Sequence, residues 1–465
     1  MNKKTRQIIL IFCVICFFIL APILVLYSMG YGYDFKKGKI TETGGIYVRT
    51  FPAADKITVD SNISKKLGFL ANSIFVQRLL PKNHSVYIEK SGYYDYSKTL
   101  PVEKKLTTKL ENILLIKKNI AFSDVTDNID YFSIAPNQQN IIASATGTKS
   151  TTFSYFNLNN QNKPQTFSII QYGFVSNIKW SDDSSRALIK IQNGGIVYYY
   201  LFDSTLQKPT ATRLSYLDYS SQQISFSPQD SQTLLYIKDK TLFSAKKNSS
   251  LPIINNVISF KISGSNITWL SSKGALSNSD LSGKITSILV SENFPVNNQN
   301  TYEIVSFSNN TFLRENDSLF KLNQETKKLE SYKIPPLSGY KIMASGDGKN
   351  AIYWNNNQIY TSTESKLPAT ETPKEKFGKL FSGSQVSNLQ WLNNDYIIFS
   401  DGDKIIISEI DYRGNINAIT LQQTISLSGD KKVDIKNPSM FFSSQSGKLY
   451  VLTNNILISS EKIIP

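Results

Sequence analysis

Apolar residues follow two different patterns along this chain. Residues Ile8–Tyr27 are twenty consecutive positions without a charged side chain. Beyond about residue 44, apolar and polar residues alternate in short runs separated by Gly, Pro, Ser, Asn and Asp, which is typical of β-strands joined by turns. Phe, Tyr and β-branched residues are abundant, and amphipathic helix patterns are almost absent. The sequence therefore predicts an all-β protein that follows one apolar helix.

The apolar segment predicts a transmembrane helix within residues 1–33. At a rise of 1.5 Å per residue, twenty residues extend about 30 Å, which matches the hydrocarbon core of a bilayer. Pro22 is compatible with this helix, because lipid-embedded helices tolerate proline. A cleaved signal peptide is the alternative, although Ser28-Met29-Gly30 is a poor cleavage site. The predicted anchor residues are Ile8, Phe12, Phe17, Leu20 and Leu26.

Basic residues lie on both sides of this helix. Lys3, Lys4 and Arg6 precede it closely, whereas Lys36, Lys37 and Lys39 follow it at a greater distance. The side with more nearby positive charge tends to stay in the cytoplasm. We therefore expect a cytoplasmic N-terminus, a single membrane pass, and an extracytoplasmic location for everything after residue 30.

Residues 44–118 predict a small β domain of alternating strands and tight turns. This region resembles the PEGA domain family, and the match lies in Gly45–Val48, Pro52–Asp55, Leu80–Val86 and Ile88–Tyr93. The family's usual Pro-Glu-Gly-Ala is Pro-Ala-Ala-Asp in this chain, so the name-giving tetrapeptide is not intact. The resemblance implies a β-sandwich-like module of bacterial and archaeal surface proteins that acts in binding or as a spacer.

Residues 120–465 contain a weak repeat, which predicts a β-propeller. The gaps between copies, about 35 to 48 residues, fit a four-stranded blade rather than a pair of helices. A lone blade cannot bury both faces of its sheet, so neighbouring blades must cover them. We count eight blades, with seven as the alternative, and expect Leu449–Ile458 and a strand near Ala121 to close the ring in one shared blade. The copies start near Asn128, Ser176, Gln222, Val257, Tyr302, Gly339, Val386 and Val433.

Several copies place a bulky apolar residue before a polar turn, and an apolar strand follows. Examples are Lys179–Asp183 before Ala187–Ile191, and Ser225–Asp230 before Leu234–Ile237. The pattern resembles TolB-like and WD-repeat-like propellers, although no copy has the whole Trp/Phe-Ser-Pro-Asp-Gly signature. This resemblance implies an architecture and little about chemistry. Segments rich in Pro, Lys and Thr, such as 207–212 and 363–379, are expected to be loops.

The formal net charge of +15 adds one constraint. Lysines are distributed along the whole chain, whereas a nucleic-acid-binding protein concentrates them on one stripe or helix. We therefore expect no nucleic-acid binding, and at most a general attraction to anionic polymers or lipid headgroups. The only cysteines, Cys13 and Cys16, lie inside the apolar segment, so the exported part cannot form a disulfide.

The sequence offers little catalytic chemistry, and we predict no catalytic residue, no metal and no cofactor. His84 is the only histidine, so a metal site or a catalytic triad lacks partners. Tyr93, Tyr94 and Tyr96 are expected on a half-buried sheet face rather than stacked on a sugar. Asp401-Gly402-Asp403 is interpreted as a hairpin turn rather than a calcium loop. Ser345–Gly348, with Trp354, is interpreted as a blade turn rather than an aspartate box of a sialidase.

Three functions remain open at the level of sequence. The first is a membrane-anchored extracytoplasmic binding or scaffold protein whose propeller binds a protein or a cell-envelope polymer. The alternative is a propeller hydrolase acting on surface glycans or peptides, because paired carboxylates need spatial proximity rather than a motif. The third is a purely architectural component of the cell envelope.

Overall fold

The computed structural model describes residues 3–35, 37–60, 63–66, 72–158, 164–247, 249–291, 294–307, 310–363, 376–427 and 431–464. The chain divides into two compact units. The first contains Met1–Ile120, Ile407–Gln422 and Ile463–Pro465, and the second contains Ala121–Ile406 and Gln423–Lys462. The sequence-based limits 1–33, 44–118 and 120–465 stay a prediction.

The N-terminal helix α1 spans Lys3–Ser28. Within it, Thr5–Ser28 is long and apolar enough to cross a membrane, a description that a signal sequence also meets. The predicted anchor residues Phe12, Phe17 and Leu20 are 65%, 66% and 54% exposed, and Leu26 is half-buried. Ile8 belongs to the helix, but its side chain lies outside those described. Such exposure of large apolar side chains in water is unfavourable, so this helix requires an apolar environment.

The first unit contains a hairpin and two sheets. The hairpin pairs β1 (Tyr31–Asp34) with β2 (Lys39–Glu42). One sheet has the order β6-β3-β9, and the other β5-β4-β7-β8. The strands are β3 (Gly44–Phe51), β4 (Lys56–Val59), β5 (Ile63–Lys66), β6 (Ser73–Leu79), β7 (Asn83–Glu89), β8 (Tyr96–Pro101) and β9 (Thr107–Leu114).

Alternation explains why these strands form a sandwich. In β7 and β8 every second side chain is buried, and the apolar ones among them join a single core. That core includes Ile46 and Val48 from one sheet and Ile57 and Ile88 from the other, all 0% exposed. The predicted β-sandwich is therefore confirmed.

The second unit consists of antiparallel sheets whose strands follow each other in the chain. Six sheets are simple meanders, β11–β14, β15–β18, β19–β22, β23–β26, β27–β30 and β31–β34. Their strands are β11 (Tyr131–Ile134), β12 (Asn140–Thr146), β13 (Thr151–Asn157), β14 (Gln165–Ile169), β15 (Phe174–Trp180), β16 (Arg186–Asn193), β17 (Ile196–Asp203), β18 (Thr210–Arg213), β19 (Gln222–Phe226), β20 (Thr233–Lys238), β21 (Thr241–Lys246), β22 (Ser249–Asn255), β23 (Val257–Ser263), β24 (Asn266–Ser271), β25 (Leu276–Asp280), β26 (Ile285–Val290), β27 (Tyr302–Phe307), β28 (Asn310–Glu315), β29 (Ser318–Asn323), β30 (Lys328–Tyr332), β31 (Lys341–Ala344), β32 (Asn350–Trp354), β33 (Gln358–Thr363) and β34 (Lys376–Ser382).

A further sheet closes the ring. It has the order β10-β43-β42-β41, so the first strand of the unit, β10 (Phe122–Asp127), pairs with the last, β43 (Ile456–Lys462). The expected closure of the ring near Ala121 is confirmed. The remaining strands are β35 (Val386–Trp391), β36 (Tyr396–Asp401), β37 (Lys404–Glu409), β38 (Ala418–Thr420), β39 (Thr424–Ser426), β40 (Lys432–Asp434), β41 (Ser439–Ser443) and β42 (Lys448–Thr453).

Each sheet packs on its neighbour, as a propeller requires. One apolar cluster joins the first two meanders through Ile142, Phe153, Ile189 and Phe202, all 0% exposed. Comparable clusters join the next four pairs, and Leu457 connects the closing sheet to the first meander. The number of blades stays a prediction, because Ile407–Gln422, which contains the end of β37 and all of β38, belongs to the first unit.

The sequence located the strands better than the loops. Gln222, Val257, Tyr302 and Val386 each begin a strand, as the repeat predicted. The two predicted loops were partly wrong, since Thr210–Arg213 is strand β18 and Lys376–Ser382 is strand β34. In β18 three of four side chains are exposed, so the strand lacks the alternation that would have revealed it. The middle of the second loop lies outside the described residues.

Candidate functional site

The first strands of five successive sheets surround a cavity of about 910 Å³ in the second unit. These strands are β15, β19, β23, β27 and β31, and we call the space they line the channel cavity. Each of these strands is the first of its sheet, the position that lines the central channel of a propeller. The volume falls in the range of about 300–1,000 Å³ that is common for ligand pockets.

The wall of the channel cavity is partly apolar. Most of its half-exposed apolar side chains pack partly against the apolar clusters between neighbouring sheets and stay accessible at the cavity. A ligand that displaces water from them would gain about 25 cal/mol per Å² of apolar surface covered. Six half-exposed apolar residues form this part of the wall: Ile224, Ile262, Val305, Ile342, Met343 and Ala344.

Two lysines provide positive charge in the same wall. Lys179 donates hydrogen bonds to the Ile224 carbonyl oxygen (2.7 Å) and to Ser225 Oγ (2.9 Å). Lys261 is half-buried. Its ammonium group makes no hydrogen bond or ion pair with the residues that the structure describes. Burial lowers the pKa of both ammonium groups, because desolvation disfavours the charged form.

The two acidic residues of the cavity differ in their partners, because one is paired with an arginine and the other is exposed. Glu303 forms an ion pair with Arg314, whose guanidinium also donates to the Tyr340 carbonyl oxygen and lies 5.8 Å from the centre of the Tyr340 ring. Asp182 is exposed at the cavity and acts on Lys179 only through space. The wall therefore presents one neutralised pair, one exposed carboxylate and two ammonium groups.

Glutamine side chains fix the inner strands to one another. Gln223 accepts a hydrogen bond from the Phe260 amide (2.9 Å) and donates to the Tyr302 carbonyl oxygen (3.1 Å), so it joins three sheets. Gln390 makes the same kind of bridge to the Phe442 amide (2.9 Å) and the Met440 carbonyl oxygen (2.8 Å). Gln223 has a φ of 48° and lies in a β-bulge, which re-aims its side chain along the inner wall.

His84 has a structural position in the first unit. Its ring is 2% exposed, with Nδ1 2.6 Å from Asp60 Oδ2 and Nε2 2.7 Å from the Leu80 carbonyl oxygen. Both ring nitrogens therefore have a partner within the first unit, and these two contacts fix the ring in place. Partial burial alone would raise the pKa of Asp60, but the Ser85 amide, the His84 ring and Lys82 together hold that pKa below its usual value.

The carboxylate of Asp60 gives the first unit an acid-sensitive contact, the hydrogen bond that it accepts from the Ser85 amide. Because the pKa of Asp60 is lower in the folded chain, its stabilisation is complete above the unfolded value of about 3.9 and is lost as the pH falls through the lower folded value. We expect hydrogen exchange at the Ser85 amide, corrected for its intrinsic pH dependence, to accelerate several-fold across that window. In Asp60→Asn the corrected rate should not change with pH, and an unchanged acid response would contradict the assignment.

The tyrosine cluster does not form a stacking platform. Tyr93 and Tyr94 are half-buried, and Tyr96 is 4% exposed. The hydroxyl of Tyr96 donates to Glu409 Oε2 (2.9 Å). Tyr96 therefore lies on a packed sheet face, as expected, whereas Tyr93 forms an isolated bridge with Lys117 and Tyr94 lies outside the strands.

Tyr96 belongs to a buried ionic cluster within the first unit. Lys98 Nζ lies 2.6 Å from Glu409 Oε1 and donates to the carbonyl oxygens of Asp411 (2.6 Å) and Asn415 (3.1 Å). The Lys98 side chain is 0% exposed and that of Glu409 4%. Asn417 also donates to Glu409 through its backbone and its side chain.

The same segment caps the edge of strand β8. Asn417 Oδ1 accepts from the Ser97 amide (3.3 Å), and Asn415 accepts from the Thr99 amide (3.1 Å) while donating to the Ser97 carbonyl oxygen (2.7 Å). Gly414 has a φ of +65°, and a Cβ there would lie 2.1 Å from the Thr99 carbonyl oxygen. An uncovered edge strand invites pairing with other chains, so this cap protects the sheet.

The two turn motifs have structural explanations. Asp401 Oδ1 accepts from the amides of Ser384 (3.0 Å) and Gln385 (2.8 Å), and Gly402 has a φ of 57° in the turn that follows β36. Ser345 Oγ donates to Asp347 Oδ1 (2.7 Å) inside the turn between β31 and β32. Among the described residues no group of three or more His, Cys, Asp or Glu side chains could hold a metal ion.

Sequence reasoning missed the cavity lysines and the ionic cluster. Lys179 and Lys261 each lie between two apolar residues in an inner strand, and a charged residue at such a position is a usable signal. Glu409 lies 311 residues from Lys98, and no local pattern connects them.

The strand order and the channel cavity define a β-propeller protein that also carries a small β-sandwich domain. Residues 43–116 match the family model of the PEGA domain, which confirms the resemblance of that region. No curated protein matches the chain. Among solved structures the chain is similar to the Dos1 propeller, with 12% identity, a TM-score of 0.43, and coverage of 74% of this chain and 94% of that one.

A second similar structure is BamB from Moraxella catarrhalis, with 12% identity and a TM-score of 0.41. The match covers 73% of this chain and 98% of that one. At such scores the likeness supports no functional argument, and the description of the fold rests on the strand order of the chain itself.

Proposed function

We propose that this chain is a membrane-anchored, extracytoplasmic binding or scaffold protein whose propeller takes a protein or a cell-envelope polymer at the channel cavity. The observation that carries the proposal is the cavity itself, which combines half-exposed apolar residues with two ammonium groups. Concave sites of mixed character are the usual form of a binding site.

The anchoring rests on helix α1. Its large apolar side chains are exposed, and Lys3, Lys4 and Arg6 lie at its start. A single membrane pass with the N-terminus in the cytoplasm would leave everything after residue 30 outside the cytoplasm. The match to the PEGA domain supports the extracytoplasmic location.

We propose no enzymatic activity for this site. The alternative hydrolase would use two carboxylates, and Asp182 and Glu303 both line the cavity. Glu303 is ion-paired with Arg314, so its carboxylate already has a partner and is not free to act on a substrate. Turnover of a glycan or peptide by the purified chain would overturn this assignment, and a purely architectural protein would show neither turnover nor selective binding.

Filling the channel cavity should abolish binding. Ser306 is an exposed cavity residue, and Ser306→Trp places a large ring in the space without altering a packed sheet interface. We expect the full-length chain, immobilised in detergent micelles, to retain one partner from envelope extracts, and the variant to retain at least tenfold less, equivalent to about 1.4 kcal/mol.

The matched control is Ser318→Trp, at an exposed serine that begins β29 and does not line the cavity. It should retain the partner as the native chain does. The retained component is then purified and rebound to both variants. Equal retention by the two variants would rule out the channel cavity as the binding site.

A further inference from the structure

We propose that the channel cavity takes a short peptide segment in which a carboxylate lies beside apolar side chains, and that Lys261 binds the carboxylate. This inference rests on the proposed function and names the chemistry of its partner. It commits to a peptide rather than to an anionic envelope polymer.

Lys261 is a cavity lysine whose ammonium group has no bonding partner among the described residues, whereas that of Lys179 bonds two acceptors. It is half-buried, and within the described residues its ammonium group has no hydrogen bond and no carboxylate within 4.0 Å. The acidic residue that acts on it through space, Glu303, is already paired with Arg314. A partly desolvated ammonium group without a partner is unfavourable, and burial lowers its pKa accordingly. A bound carboxylate would offset this unfavourable desolvation by accepting a charge-assisted hydrogen bond from the ammonium group.

Lys179 offers a second contact on the same wall. An ammonium group has three donors, and Lys179 uses two of them on Ile224 and Ser225. These bonds hold Nζ against strand β19. That strand belongs to the sheet between the sheets of β15 and β23. The remaining donor is available to a carbonyl oxygen or to the second carboxylate oxygen of a ligand.

The rest of the wall selects against a polyanion. The exposed Asp182 would repel part of a chain with a negative charge on every unit, because like charges at close range disfavour binding, and the neutralised pair of Glu303 and Arg314 would add no attraction. The apolar residues of the wall would gain nothing from a sugar-phosphate backbone. A peptide that presents one carboxylate between leucine-like side chains can contact both the ammonium groups and the apolar residues of the wall.

The cavity volume also limits the length of the segment. At about 910 Å³ it can enclose only a few residues, so the recognised element is short and the partner must present it in an extended or terminal position. Recognition would then depend on one ionic contact and a few apolar contacts.

The test uses the full-length chain in uncharged detergent micelles and three fluorescein-labelled probes. These are the pentapeptide Ser-Leu-Asp-Leu-Ser, its counterpart Ser-Leu-Asn-Leu-Ser, and a glycerol phosphate oligomer of similar length. Fluorescence anisotropy measures binding at low and moderate salt. We expect the Asp peptide to bind at least tenfold more tightly than the Asn peptide, with a preference that weakens as salt rises.

Variants assign that preference to one residue. Lys261→Met keeps the length and loses the charge, so it should bind both peptides equally, whereas Lys261→Arg should keep the preference. The control Lys273→Met changes an exposed lysine that does not line the cavity, and should behave as the native chain. Trp180 lines the cavity, so its fluorescence reports whether each variant keeps the native wall.

The outcomes separate this inference from the proposed function. Equal binding of the two peptides by the native chain, or an unchanged preference in Lys261→Met, would overturn it. Tighter binding of the glycerol phosphate oligomer would overturn the peptide and support a polymer. If no probe binds while retention from envelope extracts still depends on Ser306, the inference fails and the proposed function stands.

Discussion

Replacing Glu409 with Leu should reduce the free energy of unfolding of the first unit by about 3–5 kcal/mol, the usual cost of removing one partner from a buried ion pair. The side chain of Lys98 is 0% exposed, and among the described residues Glu409 is the carboxylate at hydrogen-bond distance, 2.6 Å away. Asp411 Oδ2 is farther, at 3.8 Å, and is already paired with Arg413. Without Glu409 the ammonium group would stay buried beside two carbonyl oxygens, which do not neutralise its charge.

Hydrogen exchange is the appropriate measurement, because all four tryptophans lie in the second unit. The amides of Ser97 and Thr99 are capped by Asn417 and Asn415, so the peptide that contains them should lose its protection in Glu409→Leu. A urea series would give the free energy of that opening.

The double variant Lys98→Met, Glu409→Leu is the control. Apolar side chains of similar size commonly replace a buried ion pair at little cost. We therefore expect the double variant to be more stable than Glu409→Leu alone. If the double variant is the less stable of the two, the charge itself is not the cause, and the ionic interpretation of the cluster is wrong.

Replacing Phe202 with Ala should destabilise the propeller by a comparable amount, about 3–5 kcal/mol, which is typical of an aromatic residue lost from a core. Phe202 is 0% exposed and lies between the first two meanders. Its ring centre is 5.0 Å from that of Phe167, 5.2 Å from that of Tyr155 and 6.2 Å from that of Trp180. The substitution would leave a cavity that this rigid interface cannot close.

Phe174 provides a matched control in the same sheet. It is 56% exposed, so Phe174→Ala should change the free energy of unfolding by less than about 0.5 kcal/mol. Denaturant titrations followed by the fluorescence of Trp180 would compare the two variants. Similar losses from both would show that packing between the first two sheets does not determine the stability of the propeller.

Much of the fold could be predicted because its signals are local. The alternation in β7 and β8 reflects a sheet with one buried face, and the apolar run Ala187–Ile191 reflects a strand covered on both faces. Outer strands such as β18 were missed, because an exposed strand has no apolar pattern to read. Ring closure was predictable from a surplus strand at each end of the repeat region, which β10 and β43 provide.

The candidate site depended on information that the sequence does not carry locally. In the sequence nothing distinguishes Lys261 from the other lysines. It becomes a candidate only because folding brings the inner strands together around a cavity that it lines. Gln223 faces Phe260 and Tyr302 because of a bulge and a left-handed backbone, and neither has a clear signature in the sequence.

The apolar helix, the PEGA region, the strand periodicity and the repeat of the propeller are all readable in the amino-acid sequence. These features follow from hydrophobic burial, whose period is visible in any short window of residues. By contrast, the lysines that meet in the channel cavity and the pairing of Glu409 with Lys98 become evident only in the folded chain. Such contacts join residues far apart in the chain, and they form only when the packing of whole sheets fixes the position and the solvation of each charge.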